Sequence, residues 1–180
     1  MRALATLAVS TSFLALAVGC AGVGDGPTSL VATSSPDASS AESGPVTRPA
    51  GGSCTTDITI VPARPGYAFS LDITGVCQLA HLGRTTMVIE QDFAFDGSIV
   101  NATTHTAANG DLLLSTWYSA PGESTFDGID AVFAGTETYV GGSGRFADAS
   151  GSSRVQGTAF LNVATGAFTG AYTTRGTIAY

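Results

Sequence analysis

A strict alternation of residue type constrains the fold of this chain most. Tyr67, Phe69, Leu71 and Ile73 are large and apolar, and the residues between them are small or polar. Because side chains of a β-strand point alternately to the two faces of a sheet, the pattern predicts a strand with one buried and one solvated face. Similar alternation predicts eight strands, at about 56–62, 67–76, 84–95, 97–108, 111–119, 129–140, 153–163 and 167–180.

Short turn sequences separate several of these strands. Asp96-Gly97 and Asn109-Gly110 are hairpin signals, and 164–166 reads Ala-Thr-Gly. We therefore predict an all-β fold, a closed eight-stranded antiparallel up-and-down barrel, because closure removes exposed strand edges. A β-sandwich is the alternative. The interior of an eight-stranded barrel is filled by side chains or holds one small ligand.

The N-terminus predicts export. Residues 1–19 are mostly apolar, with Arg2 as the only charged side chain, which is typical of a signal peptide. Ala17-Val18-Gly19-Cys20 resembles the bacterial lipobox, in which the cysteine after the cleavage site is lipidated. The resemblance implies an exported protein that is anchored to the bacterial cell envelope and contacts the membrane through lipidated Cys20. The alternative is an ordinary secretory signal and a secreted protein.

Three cysteines leave one without a partner in an oxidising compartment. If Cys20 carries the lipid, Cys54 and Cys77 can form a disulfide bond, and two separate buried thiols are the alternative. Residues 21–52 are rich in Ser, Pro and Gly and poor in large apolar residues, which predicts a disordered tether. The expected organisation is a signal peptide at 1–19, the lipidated cysteine and tether at 20–52, and one barrel domain at 53–180.

The sequence from 141 to 151 is a glycine-rich turn. Its glycines permit positive φ. Phe146 can plug one end of the barrel, and Arg145 is free to cap carbonyls. We therefore expect the segment to have primarily a structural role. The glycines are Gly141, Gly142, Gly144 and Gly151.

This turn, with the strand and hairpin that follow it, resembles the signature of the allene oxide cyclase and dirigent-like barrels, over roughly residues 53–180. The resemblance implies an eight-stranded barrel with an apolar cavity. Members of that family include plant isomerases that cyclise a fatty-acid epoxide and proteins that orient radical coupling without doing chemistry. The catalytic positions of the cyclases have no residue-by-residue match here.

Two predicted strands place polar groups among apolar ones. Glu137 shares a face with Ile129, Phe133 and Tyr139, and Gln91 shares one with Met87, Ile89, Phe93 and Phe95. A carboxylate in an apolar interior can act as a general base or hold the polar head of a ligand. Alternatively, these positions are hydrated near the barrel mouth, or Gln91 or an arginine satisfies Glu137. Glu137 is the one catalytic candidate, and the ligand-binding candidates are Gln91, Phe93, Phe133, Glu137 and Tyr139.

Other site types are not predicted. His81 and His105 lack the spacing of metal ligands, so we expect no metal and no cofactor. His81 belongs to a turn near Cys77, and His105 is expected at the surface or mouth. Ser143 is expected to be a turn residue, since no strand, elbow and helix surround it.

The charge balance is acidic, with 14 Asp and Glu against seven arginines and a net charge of −7. This disfavours nucleic acid as a partner. We predict a non-catalytic envelope lipoprotein whose barrel binds a small apolar ligand or a protein partner. The alternatives are an isomerase or cyclase acting on an apolar oxygenated substrate, and a structural protein whose outer face forms a homo-oligomer.

Overall fold

The structure is a computed structural model that describes residues 44–180. The predicted signal peptide, Cys20 and most of the tether lie outside the described residues. No helix within 44–180 is long and apolar enough to cross a membrane. The elements are β1 Thr47–Val61, β2 Phe69–Leu79, β3 Gly83–Phe93, β4 Ile99–Ala107, β5 Leu112–Ser119, β6 Thr125–Phe126, β7 Asp130–Gly142, a 3-10 helix at Gly144–Phe146, β8 Ser150–Asn162 and β9 Ala167–Ala179.

Eight long strands close into one antiparallel barrel. Their order is β5-β4-β3-β2-β1-β9-β8-β7, and β7 pairs with β5 to complete the ring. The two-residue strand β6 pairs with the start of β7 and takes no part in closure. The predicted all-β, closed eight-stranded barrel is confirmed, and the sandwich alternative is not needed.

The barrel begins earlier than the sequence indicated. β1 begins at Thr47 rather than at about 56, and it pairs with β9 from Thr47 opposite Ala179 to Ile58 opposite Phe168. The domain boundary at 53 was therefore too late, and the predicted tether was too long by residues 47–52. A proline and two glycines in this segment resemble strand breakers. Gly52 is instead required by close approach, because a Cβ there would lie 2.1 Å from the carbonyl oxygen of Gln78.

The two ends of the barrel differ, and we call them the plugged end and the mouth. Because the strands are antiparallel, the start of β1, the end of β9 and the connections 80–82, 108–111 and 143–149 lie at the plugged end. The connections 62–68, 94–98, 120–129 and 163–166 lie at the mouth. Phe146 fills the plugged end, where it is fully buried against a cluster of Ala50, Ala107, Leu113, Tyr139, Ala149 and Ile178.

The glycine-rich turn at the plugged end differs from expectation in two details. Gly141, Gly144 and Gly151 have positive φ, but Gly142 does not. Gly142 instead admits a neighbouring strand, because a Cβ there would lie 1.9 Å from the carbonyl oxygen of Leu112. Arg145 does not cap carbonyls: its Nε lies 3.6 Å from Asp111 Oδ2, and its guanidinium lies over the Phe146 ring.

The predicted disulfide bond between Cys54 and Cys77 is confirmed. The two residues lie directly opposite each other in the β1–β2 ladder and are buried beside Met87 and Ile73. They are 23 residues apart in sequence. Closing a loop of this size contributes about 3 kcal/mol to stability in the chain-entropy model.

Candidate functional site: the barrel interior

An open cavity occupies the mouth half of the barrel. Its volume is about 390 Å³, and all eight long strands contribute to its mostly apolar lining. This volume lies within the range of about 300–1,000 Å³ that is usual for small-molecule sites. Exposed Phe126 and Val132 belong to the lining, so the cavity opens to solvent at the mouth.

Aromatic rings of the cavity lining lie close against glycines of the barrel wall. A Cβ on Gly135 would lie 2.4 Å from the Trp117 ring, and one on Gly157 would lie 2.6 Å from the Phe133 ring. The Trp117 and Phe133 rings meet edge to face, with centroids 6.4 Å apart. Glycine at these two positions therefore leaves room for the Trp117 and Phe133 rings beside the wall.

A polar cluster lies at the inner end of this cavity, and we call it the polar floor: His105, Ser115, Glu137 and Thr174. Glu137 is 6% exposed. The Ser115 hydroxyl donates a hydrogen bond of 2.6 Å to Glu137 Oε1, and the Thr174 hydroxyl lies 3.5 Å from Oε2. His105 Nε2 lies 3.6 Å from Oε1. Glu137 itself belongs to the cavity lining, whereas none of the arginines in 44–180 does.

The negative charge of Glu137 affects the pKa of two buried tyrosines. The hydroxyl of Tyr139 lies 2.7 Å from Ser153 Oγ, and that of Tyr172 donates to Met87 Sδ at 3.0 Å. Burial, together with the negative charge of Glu137, raises the pKa of Tyr139 to about 12. Burial, again with the charge of Glu137, also raises the pKa of Tyr172. Both phenols therefore stay protonated at neutral pH and can donate hydrogen bonds.

Three buried polar atoms among the described residues have no hydrogen-bond partner: Thr85 Oγ1, His105 Nδ1 and Trp117 Nε1. An unpartnered buried donor or acceptor costs about 1–3 kcal/mol. Trp117 is the one of these residues that lines the cavity. It lies directly opposite Glu137 in the β5–β7 ladder. Trp117 therefore combines a place in the cavity lining with an unpartnered, buried N–H, and it lies opposite the carboxylate of Glu137.

The ligand-binding residues predicted from the sequence do not all line the cavity. Gln91, Phe93, Phe133 and Glu137 line the cavity. Tyr139 does not, because it packs into the cluster around Phe146 at the plugged end.

Phe95 and Ile129 are 80% and 43% exposed, so their predicted inward placement is wrong. The reason is that β3 ends at Phe93 and β7 begins at Asp130. The expected partners of Glu137 were also wrong, because Ser115 and His105 take the place of Gln91 or an arginine.

Sequence reasoning missed most of the polar floor. His105, expected at the surface or mouth, is 3% exposed. The alternation of side chains in β4 indicated its buried position, since Ile99, Thr103 and His105 lie on one face of the strand and all are buried. Threonines lie on both faces of β4, so the buried face is difficult to recognise from the sequence. Trp117 could have been placed in the same way, from its alternation with Leu113 and Ser115.

Chemically, the cavity combines an apolar body, the carboxylate of Glu137, the amides of Gln91 and Asn101, and the indole of Trp117. It can bind an apolar molecule with one polar group, for which the carboxylate of Glu137 is a hydrogen-bond acceptor. Residues 44–180 contain no group of three or more His, Cys, Asp or Glu side chains that could hold a metal ion.

Fold and site together define a closed antiparallel β-barrel with one open, largely apolar internal cavity and a polar floor. No family model, no curated protein and no solved structure matches this chain. Its function must therefore be argued from the cavity.

Proposed function

We propose that this chain is an exported envelope lipoprotein whose barrel binds one small, mostly apolar molecule. The cavity carries the proposal: about 390 Å³ of space open at the mouth and lined mainly by apolar side chains. Apolar space that reaches solvent is unfavourable when it holds water, and a ligand that fills it gains about 25 cal/mol for each Å² of apolar surface buried. A small molecule suits this concave site better than a protein partner does.

The cysteines support the proposed location. Disulfide bonds persist in oxidising compartments, and the Cys54–Cys77 bond is consistent with export. Because both cysteines of the barrel are paired, Cys20 remains for lipidation. A lipidated Cys20 would hold the protein at the cell envelope, with the membrane as its partner through the acyl chains.

Family membership is part of the proposal. The closed barrel, its apolar cavity and the buried Phe146 in the glycine-rich turn are features that an allene oxide cyclase or dirigent-like protein would have. We favour a non-catalytic member of that family, because no catalytic position of the cyclases has a match in this sequence.

An isomerase is the second candidate, and one observation favours it. Glu137 lines an apolar cavity, and His105 lies 3.6 Å behind its carboxylate. A carboxylate that is backed by an imidazole could take a proton from a bound substrate and return it elsewhere. This role needs a substrate with an acidic C–H, whereas simple binding does not.

Native mass spectrometry tests the binding function. The protein, expressed with its own leader and released in mild detergent, is incubated with an envelope lipid extract. A retained small-molecule adduct is expected, and it should be lost when Ala159 in the lining is replaced by Phe to fill the cavity. A bare mass under all conditions would reject ligand binding. A bare dimer or higher oligomer would favour the structural role instead.

The anchor has its own test. The mass of the N-terminal peptide is measured in the wild type and in Cys20→Ser. We expect acylated Cys20 in the wild type and a soluble, unacylated protein in the variant. An unmodified N-terminus near Ala21 in the wild type would show ordinary secretion and reject the lipoprotein assignment.

A further inference from the structure

We infer that the cavity selects an uncharged apolar molecule with a hydroxyl group, which bridges Trp117 and Glu137. The inference rests on the proposed binding function and adds the chemistry of the ligand. Trp117 and Glu137 are directly opposite in the β5–β7 ladder and both line the cavity. Paired side chains on one face have Cβ atoms about 4.5–5.5 Å apart, so Trp117 and Glu137 lie side by side in the lining.

Trp117 requires an acceptor from the ligand. Its side chain is 95% buried, and Nε1 has no partner within the described part of the chain. The indole N–H can only donate a hydrogen bond. A ligand oxygen would satisfy it, whereas a pure hydrocarbon or an ammonium group would leave it unpaired. The oxygen of an alcohol or phenol fits this requirement.

Glu137 requires a donor. Its Oε1 accepts from Ser115 at 2.6 Å, but its Oε2 has only the Thr174 hydroxyl at 3.5 Å. A carboxylate offers about four acceptor sites, so Oε2 has capacity left for a donor from the ligand. A hydroxyl group donates one hydrogen bond and accepts others, and it therefore meets the needs of Glu137 and Trp117 at once.

A fatty-acid carboxylate fits poorly. None of the arginines in 44–180 lines the cavity, and the chain has no lysine, so no permanent cation would offset a second negative charge beside Glu137. Two carboxylates in one apolar site repel each other.

The sole tryptophan of the chain makes the test direct, because Trp117 fluorescence reports cavity occupancy. The full chain is titrated with 1-decanol, decanoate and decylammonium, which share one hydrocarbon body. We expect 1-decanol to bind at least about tenfold more tightly than decanoate, since hydrogen bonds to a charged group are the stronger kind. Equal or tighter binding of decanoate, or tighter binding of decylammonium, would overturn the inference. If none of the probes binds, the binding function itself fails.

Two variants test whether Glu137 and Trp117 determine the preference for 1-decanol over decanoate. Glu137→Gln keeps the shape and removes the charge, so decanoate should gain about tenfold relative to 1-decanol. Trp117→Phe removes the donor and should weaken 1-decanol about fivefold, measured by calorimetry because the fluorophore is lost.

Val88→Ala is the control, because Val88 is 55% exposed on the outer face of β3 and does not line the cavity, so both affinities and their ratio should stay unchanged. Thermal unfolding confirms that each variant is folded. An unchanged ratio in a folded Glu137→Gln protein would contradict the assignment to Glu137.

Discussion

The plugged end and the mouth are built from the same strands and the same alternation, yet one is packed and the other is open. At the plugged end Phe146 is fully buried among small and large apolar side chains. At the mouth Phe95 and Val163 are 80% and 73% exposed, and the cavity reaches solvent. Strand pattern therefore defines the wall of a barrel, while a side chain from a connection, Phe146 of the 3-10 helix, closes one of its ends.

The largest expected effect comes from emptying the plugged end. Phe146→Ala should lower the free energy of unfolding by about 3–5 kcal/mol, because it removes a fully buried ring from a packed cluster. Urea unfolding followed by Trp117 fluorescence measures the loss. Phe95→Ala at the mouth is the matched control, and since Phe95 is 80% exposed its cost should stay within about 0.5 kcal/mol. Similar losses in both variants would mean that the two ends do not differ in packing.

Removal of the disulfide bond should come next. Replacing both Cys54 and Cys77 with Ala should lower the free energy of unfolding by about 3 kcal/mol, since the bond closes a loop between residues 23 positions apart. Neither cysteine lines the cavity, so ligand affinity should change less than twofold. The reduced wild-type protein is the control and should be destabilised to the same extent. A loss under about 1 kcal/mol, or a large fall in affinity, would contradict this separation.

A smaller, pH-dependent effect should mark Tyr139. Its pKa is raised from 10.0 to about 12 in the folded protein, so its stabilising contribution is present below pH 10 and is lost as the pH rises from 10 to about 12. Tyr139→Phe should remove about 2 kcal/mol of that alkaline loss, measured as the free energy of unfolding against pH. Half-exposed Tyr118→Phe is the control and should leave the slope unchanged. An unaltered slope in Tyr139→Phe would mean that the folded protein does not protect this phenol.

Local patterns predicted the barrel wall well, because alternation and hairpin turns depend on neighbours in sequence. Turns at Gly97, Gly110 and Gly166 all have positive φ between paired strands, as their sequences indicate. The start of β1 was missed because its glycines are required by close approach to strands that are distant in the sequence. Gly52, for example, is required by the backbone of Gln78.

The candidate site was predicted less completely. Glu137, Gln91, Phe93 and Phe133 could be placed inside from their own strands, and all four line the cavity. The contact between Glu137 and His105 joins β7 to β4, and these strands are not adjacent in the ring. Only the radius and stagger of the closed barrel bring such residues together, and no local pattern encodes either.

Pairing between β1 and β9 has a consequence for the order of events in folding. Thr47 lies opposite Ala179, so the ring cannot close until nearly the whole described chain is present. Contacts between such distant segments form slowly, because the intervening loop must first lose its freedom. Until then β1 and β8 each have an open edge that can pair with another molecule. A chain that loses β9 would therefore be a template for aggregation rather than a smaller barrel.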